Sequence, residues 1–137
     1  MRPLILAAAI ATALPAIASA QTYRASNDLT VVPLTRSTFE VIESRGEGPR
    51  GMWCAAAEYS ERKLGKFGRV YIAKARGASQ TRDGRKAVTF TTNAASLSQG
   101  PSTSVSLSTR QVGVGLNTAH AIQFCRDYDR DVLRPLR

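Results

Sequence analysis

The sequence predicts an α+β fold: an antiparallel sheet of four or five strands with two helices on one face, joined by a disulfide. Three observations predict it. Short alternating runs are interrupted by two stretches of helical periodicity, in the order strands, helix, strands, helix. Each helical stretch carries one apolar stripe. The two cysteines, Cys54 and Cys125, lie on or beside those stripes.

Taken in order, residues 21–27 are polar and read as a frayed lead-in. Residues 29–34 and 38–42 read as extended, with Phe39 and Val41 alternating against Thr38 and Glu40. Pro33 lacks an amide donor, which makes the first run an edge strand or a lead-in. Gly46-Glu47-Gly48-Pro49 is a break. The first helix is expected over 50–64, where Trp53, Ala56, Ala57, Ser60 and Leu64 share a face. Glu58 and Arg62 lie opposite, spaced as a surface ion pair, and Gly65 suits the C-terminal cap. Residues 69–75 are β-branched and aromatic, with Gly77 a candidate bulge. An Asp83-Gly84 turn then returns the chain as a strand over 86–92.

Residues 93–101 form a loop rich in Ser, Gly and Asn. Val105 and Leu107 alternate with serines, predicting a strand over 103–108. Val112, Val114 and Leu116 alternate on the opposite parity, so a turn or bulge intervenes near Thr109-Arg110. Gly113 and Gly115 leave one side of that run bare for a close neighbour. The second helix starts at Asn117 or Thr118 and is expected to reach residue 128 or 131. Ala121, Phe124, Cys125, Tyr128 and Val132 form its stripe.

Residues 1–20 read as a cleavable signal peptide. Met1-Arg2 supplies the positive start, 4–14 is an uncharged apolar run, Pro15 breaks it, and Ala18-Ser19-Ala20 offers the small residues a signal peptidase reads. The apolar run is about eleven residues, against roughly 20 for a spanning helix. The mature domain is then 21–137, a single domain beginning at Gln21. No cysteine follows the small residues, which argues against a lipid anchor, and no second long apolar run occurs. The expected address is periplasmic or secreted, where two cysteines most simply pair.

The full chain carries 19 Lys+Arg and 10 Asp+Glu, and losing Arg2 leaves 18 against 10, a net of +8. A basic exported domain associates with polyanions such as phosphorylated glycolipid surfaces, acidic polymers or free nucleic acid. Charge alone is equally an ordinary solvated surface. Arg82, Arg85 and Lys86 concentrate positive charge at a hairpin tip and are the candidate polyanion contact. A basic–aromatic mixture at 69–76 does not form a continuous stacking platform, so no motif supports nucleic acid.

Catalytic signals are sparse. His120 is the sole histidine and sits at the edge of the second stripe, beside Gln123, Phe124 and Asp127. No zinc tetrad, H-E-x-x-H, Walker A, G-x-S-x-G or complete dinucleotide fingerprint occurs. Asp127, Asp129 and Asp131 alternate with Arg126 and Arg130 and lack the glycine and terminal Glu of a calcium loop. No metal or cofactor is implied. In a small secreted hydrolase such as a ribonuclease, His120 with Glu58, Glu40 or Glu43 could serve as the acid–base pair and Arg69, Arg82 or Arg85 could stabilise phosphate, although nothing in the spacing singles these residues out.

The segment Met52-Trp53-Cys54-Ala55-Ala56-Ala57-Glu58-Tyr59, with Phe124-Cys125-Arg126, resembles a set of uncharacterised small exported proteins from Gram-negative bacteria. The resemblance implies a disulfide-stapled helix pair and a periplasmic or secreted address, and it assigns no catalytic residue. The sequence therefore favours a non-enzymatic envelope or binding protein, with an acidic envelope polymer or a protein as partner. The His120 hydrolase is the alternative.

Overall fold

Five of the expected extended or helical runs form where hydrophobic periodicity places them, the second helix starts where expected, and the strand expected over 103–108 does not form. The computed structural model describes Pro3 and residues 21–126; the rest of the segment 1–20 read above as a signal peptide, and Asp127, Tyr128, Asp129, Arg130, Asp131 and Val132, lie outside the described residues. The strands are β1 (Tyr23–Arg24), β2 (Thr30–Pro33), β3 (Thr38–Ile42), β4 (Arg69–Ala78), β5 (Lys86–Thr91) and β6 (Gly115–Asn117). Helix α1 (Pro49–Arg62) joins β3 to β4. Helix α2 (Thr118–Ala121) follows β6 and continues as a 3-10 turn over Ile122–Cys125. All pairings are antiparallel, in the order β1-β2-β3-β5-β4-β6.

The α+β architecture is the expected one, with six strands rather than four or five. The additional strand comes from the lead-in. Tyr23 pairs with Val31 and Arg24 with Thr30, so residues read as frayed are tied to the sheet. This short strand stops before Pro33, which sits in β2 where the strand has no outer neighbour. A proline there leaves no ladder bond unmade.

The sheet turns Val31, Phe39, Val41, Val70, Ile72, Val88 and Phe90 toward α1, forming the main core. A run of ring contacts crosses it. Tyr23 meets Tyr59 at 5.6 Å, Tyr59 meets Phe39 at 4.6 Å, Phe39 meets Phe90 at 6.0 Å and Phe90 meets Trp53 at 5.1 Å. Every residue from 51 to 60 is buried, so the helix has no solvent face over those turns. Small alanines at 55, 56 and 57 allow that close cover. The helix ends as its sequence suggests: Gly65 adopts φ +63°, and the Lys66 amide reaches the Ser60 carbonyl at 2.9 Å.

Glu58 departs from expectation. It pairs with Arg62 at 3.1 Å as the spacing predicted, but it is buried rather than on the surface. The β1–β2 turn lies over it, and the Ser26 amide donates to its carboxylate at 2.8 Å.

The expected strand over 103–108 is absent. Serine hydroxyls take the amides two residues on: Ser102 accepts from Ser104, Ser106 from Ser108, and Ser108 from Arg110. Such local bonds compete directly with a ladder. Val105 is consequently fully exposed, while Leu107 packs against the core. The bare side of Gly113 and Gly115 is filled as expected. A Cβ at 113 would lie 2.9 Å from the Gly100 carbonyl oxygen, and one at 115 would lie 2.6 Å from the Tyr71 ring. Gly113, at φ +89°, also bends the chain, which leaves Val112 outside while Val114 is buried.

The second helix begins where expected, with the Asn117 side chain accepting from the Ala119 amide at 2.9 Å. It tightens into a 3-10 turn after Ala121. Ala121, Phe124 and Cys125 are buried as their stripe predicted.

Cys54 and Cys125 form a disulfide across 71 residues, linking α1 to the 3-10 turn. Closing a loop of that length stabilises by about 4 kcal/mol through the unfolded chain. Replacing both cysteines by alanine is expected to lower the unfolding free energy by about that amount in urea titrations, and reductant is expected to do the same to the wild type alone.

Candidate functional site

The hairpin tip between β4 and β5 begins with an interior carboxylate. Glu40 points away from α1, on the sheet face where Val32, Ile42 and Ala87 form a second small cluster. Its side chain is buried, and the tip folds over it. The Ser79 hydroxyl donates to it, the Gln80 amide donates at 2.8 Å and the Thr81 hydroxyl at 2.9 Å. Burial alone would raise the Glu40 carboxyl, but these bonds outweigh it and hold its pKa below the ordinary value. Ser79 also accepts from the Arg82 amide at 2.9 Å, which passes the constraint on to the turn. The Arg85 amide closes that turn on the Arg82 carbonyl, with Gly84 at φ +72°.

So held, Arg82 and Arg85 face residues from two other segments. Arg24, from β1, and Arg45, from the β3–α1 connection, line the same concavity of about 300 Å³ with Asp28, Thr30, Ile42 and Ser44. Four guanidinium groups against one carboxylate leave three positive charges in excess. Arg85 is oriented by its bond to the Glu43 carbonyl oxygen at 2.9 Å. The Glu43 carboxylate itself is turned to Arg76, which holds it in a two-pronged pair at 2.6 and 3.1 Å. It therefore does not neutralise the concavity.

Asp28 stands between Arg24 and Arg45, 3.6 Å from each. These pairs are long and largely exposed, so they are worth at most about 1 kcal/mol and yield easily to a competing anion. Backbone strain converges on the same place. Among the described residues, Asp28 at φ +66° and Arg45 at φ +59° are the non-glycine residues with positive φ. Each costs on the order of 1 kcal/mol relative to an ordinary conformation. Such strain gathers at binding and catalytic sites more often than elsewhere.

Of the three residues expected to contact polyanions, Arg82 and Arg85 line this site, and Lys86 is exposed at the start of β5 without lining it. Arg24 and Arg45 were not legible as partners. Arg24 sits in the lead-in, and Arg45 is brought there by a left-handed turn that only Gly46 hints at.

His120 lies elsewhere, exposed at the edge of a groove lined by Arg50, Val105, Ser106, Leu107, Gly115, Leu116 and Phe124. Its ring meets Phe124 edge-on at 5.5 Å. The three carboxylates that could share proton transfer with it are placed apart from that groove. Glu40 is beneath the hairpin tip, Glu43 pairs with Arg76, and Glu58 is buried against Ser26 and Arg62. Arg69 donates to the Gly115 carbonyl oxygen at 2.9 Å. None of these three carboxylates lines the groove with His120. Tyr23 adjoins Glu58, and burial, reinforced by that charge, raises its hydroxyl pKa.

Among the described residues, no group of three His, Cys, Asp or Glu is placed to hold a metal, and no helix is long and apolar enough to cross a membrane. No family model, curated protein or solved structure matches the chain.

The lowered Glu40 pKa sets a pH dependence. The unfolded chain binds the proton first, near the ordinary value of 4.5, so Glu40 adds stability above that pH. That stability is lost as the pH falls through the lower folded value. Glu40→Gln is expected to cost about 1–3 kcal/mol at neutral pH and to flatten the acid limb. Urea titrations from acid to neutral pH measure both.

Proposed function

We propose that this chain is an exported, non-enzymatic binding domain for acidic polymers or surfaces, and that the arginine concavity receives their phosphate groups. The observation that carries this reading is the convergence of Arg24, Arg45, Arg82 and Arg85 from three separate segments around a single aspartate. A merely solvated basic surface requires neither that convergence nor the left-handed backbone at Asp28 and Arg45. Guanidinium groups bind phosphate oxygens in two-pronged pairs that lysines cannot reproduce. The Thr30 and Ser44 hydroxyls add donors at the same wall. The excess charge raises the local concentration of anions and speeds their arrival.

The disulfide supports an oxidising compartment, since such bonds rarely persist in the cytosol. The leader pattern supports the same address. Chain recovered from the periplasm or medium is expected to begin at Gln21, which N-terminal sequencing checks.

Short inorganic polyphosphate is a suitable probe, titrated by calorimetry at low and physiological salt. Binding is expected to weaken steeply with salt, as phosphate contacts release counterions. Arg82→Ala with Arg85→Ala is expected to weaken it at least about tenfold, or about 1.4 kcal/mol. Arg45→Gly should also weaken binding while leaving stability unchanged or slightly raised, because glycine relieves the left-handed strain. An absence of binding at low salt, or unchanged binding by the double variant, would overturn the reading.

A further inference from the structure

The groove beside α2 has a different chemistry from the arginine concavity, and no residue lines both. We propose that it is a second binding site, for small monocarboxylates carrying an apolar body, such as a short acyl chain. Its volume is about 350 Å³, at the lower end of the range for small-molecule sites. Val105, Leu107, Leu116 and Phe124 supply apolar wall, and the polar side chains Arg50, His120 and Ser106 share the lining. This is the usual make-up of a ligand site: mostly apolar, with a few polar groups that fix orientation.

The charge at the groove argues for an anionic head. Arg50 places its guanidinium carbon 5.1 Å from the Phe124 ring centre, and His120 meets the same ring at 5.5 Å. Two nitrogen-bearing groups thus stand around one aromatic floor. Among the described residues, no carboxylate lies within ion-pair distance of Arg50. Arg50 is also misplaced by the rules of helix stability. It occupies the first turn of α1, which contains no acidic residue. A cation is unfavourable there because the helix dipole is positive at that end. A bound carboxylate would compensate both the guanidinium and the helix end. Phe124 makes the groove selective for an apolar body, since a small hydrophilic anion would gain nothing from burying its ring.

The groove has a built-in reporter. Trp53 is the sole tryptophan and is fully buried, and its indole N–H donates to the Leu107 carbonyl oxygen at 2.9 Å. Leu107 is part of the groove wall, so a ligand pressing on it alters the Trp53 hydrogen bond.

The test is a titration of the full mature chain with octanoate, read by Trp53 emission and by calorimetry. Octanoate is expected to bind saturably, 1-octanol at least about tenfold more weakly, and acetate not at all, because head and tail are both recognised. Arg50→Gln and Val105→Glu are expected to weaken octanoate at least about tenfold, the first by removing the cation and the second by placing a like charge at the rim. Both positions are exposed, so neither change threatens the fold. The Arg82→Ala, Arg85→Ala double variant is expected to bind octanoate as the wild type does, which separates this site from the polyphosphate site. Failure of octanoate to bind overturns the proposal. So do octanol binding as tightly as octanoate, and unchanged binding by both rim variants.

Discussion

Ten consecutive residues of α1, from 51 to 60, are removed from solvent, and a helix buried on every side needs cover that one sheet cannot provide. The sheet takes the side facing Phe39, Ile72 and Phe90. The remaining sides are closed by irregular chain, each piece held by its own bond. The disulfide draws the 3-10 turn onto Cys54. The Trp53 indole holds the 107 segment by its carbonyl oxygen. The Asn27 amide donates to the Gly51 carbonyl oxygen at 2.9 Å and brings the β1–β2 turn across the helix. Burial of rings such as Trp53 is worth about 3–5 kcal/mol each on truncation, which makes ordering these segments worthwhile. The same segments carry the functional candidates. The β1–β2 turn presents Asp28, the 105–107 segment walls the groove, and α2 presents His120.

Two interior carboxylates do comparable work at opposite sides of the sheet. An unpaired buried carboxylate is so costly that it neutralises or finds donors. Glu58 finds the Ser26 amide and Arg62, and so fastens the start of the domain to α1. Glu40 finds three donors in the hairpin tip, and so fastens the loop that carries Arg82 and Arg85. In each case the stabilising group is a positioning group for a neighbouring surface. The arginine concavity depends on Glu40 although Glu40 does not line it.

The concavity also shows the balance between stability and binding. Three uncompensated positive charges repel one another, and two left-handed side chains add strain. Neither feature helps the fold. The repulsion is what the proposed anion site would need, because an incoming anion would offset it.

Much of the architecture was legible in one dimension. Period-two and period-3.6 patterns place β3, β5 and α1 almost to the residue, since burying an apolar face leaves a local periodic signature. Cys54 and Cys125 could be paired from their number and expected compartment, and Arg82 with Arg85 could be singled out because the Asp-Gly turn keeps them close in sequence. The tertiary structure alone decided where local and long-range bonds compete. Serine hydroxyls defeated the strand over 103–108, and a two-residue pairing rescued the lead-in as β1. It also decided that Glu58 is interior and that Arg24 and Arg45 join the hairpin tip. Periodicity records which face of an element is buried. It carries no record of which loops meet over that element, because those contacts join residues with no shared spacing.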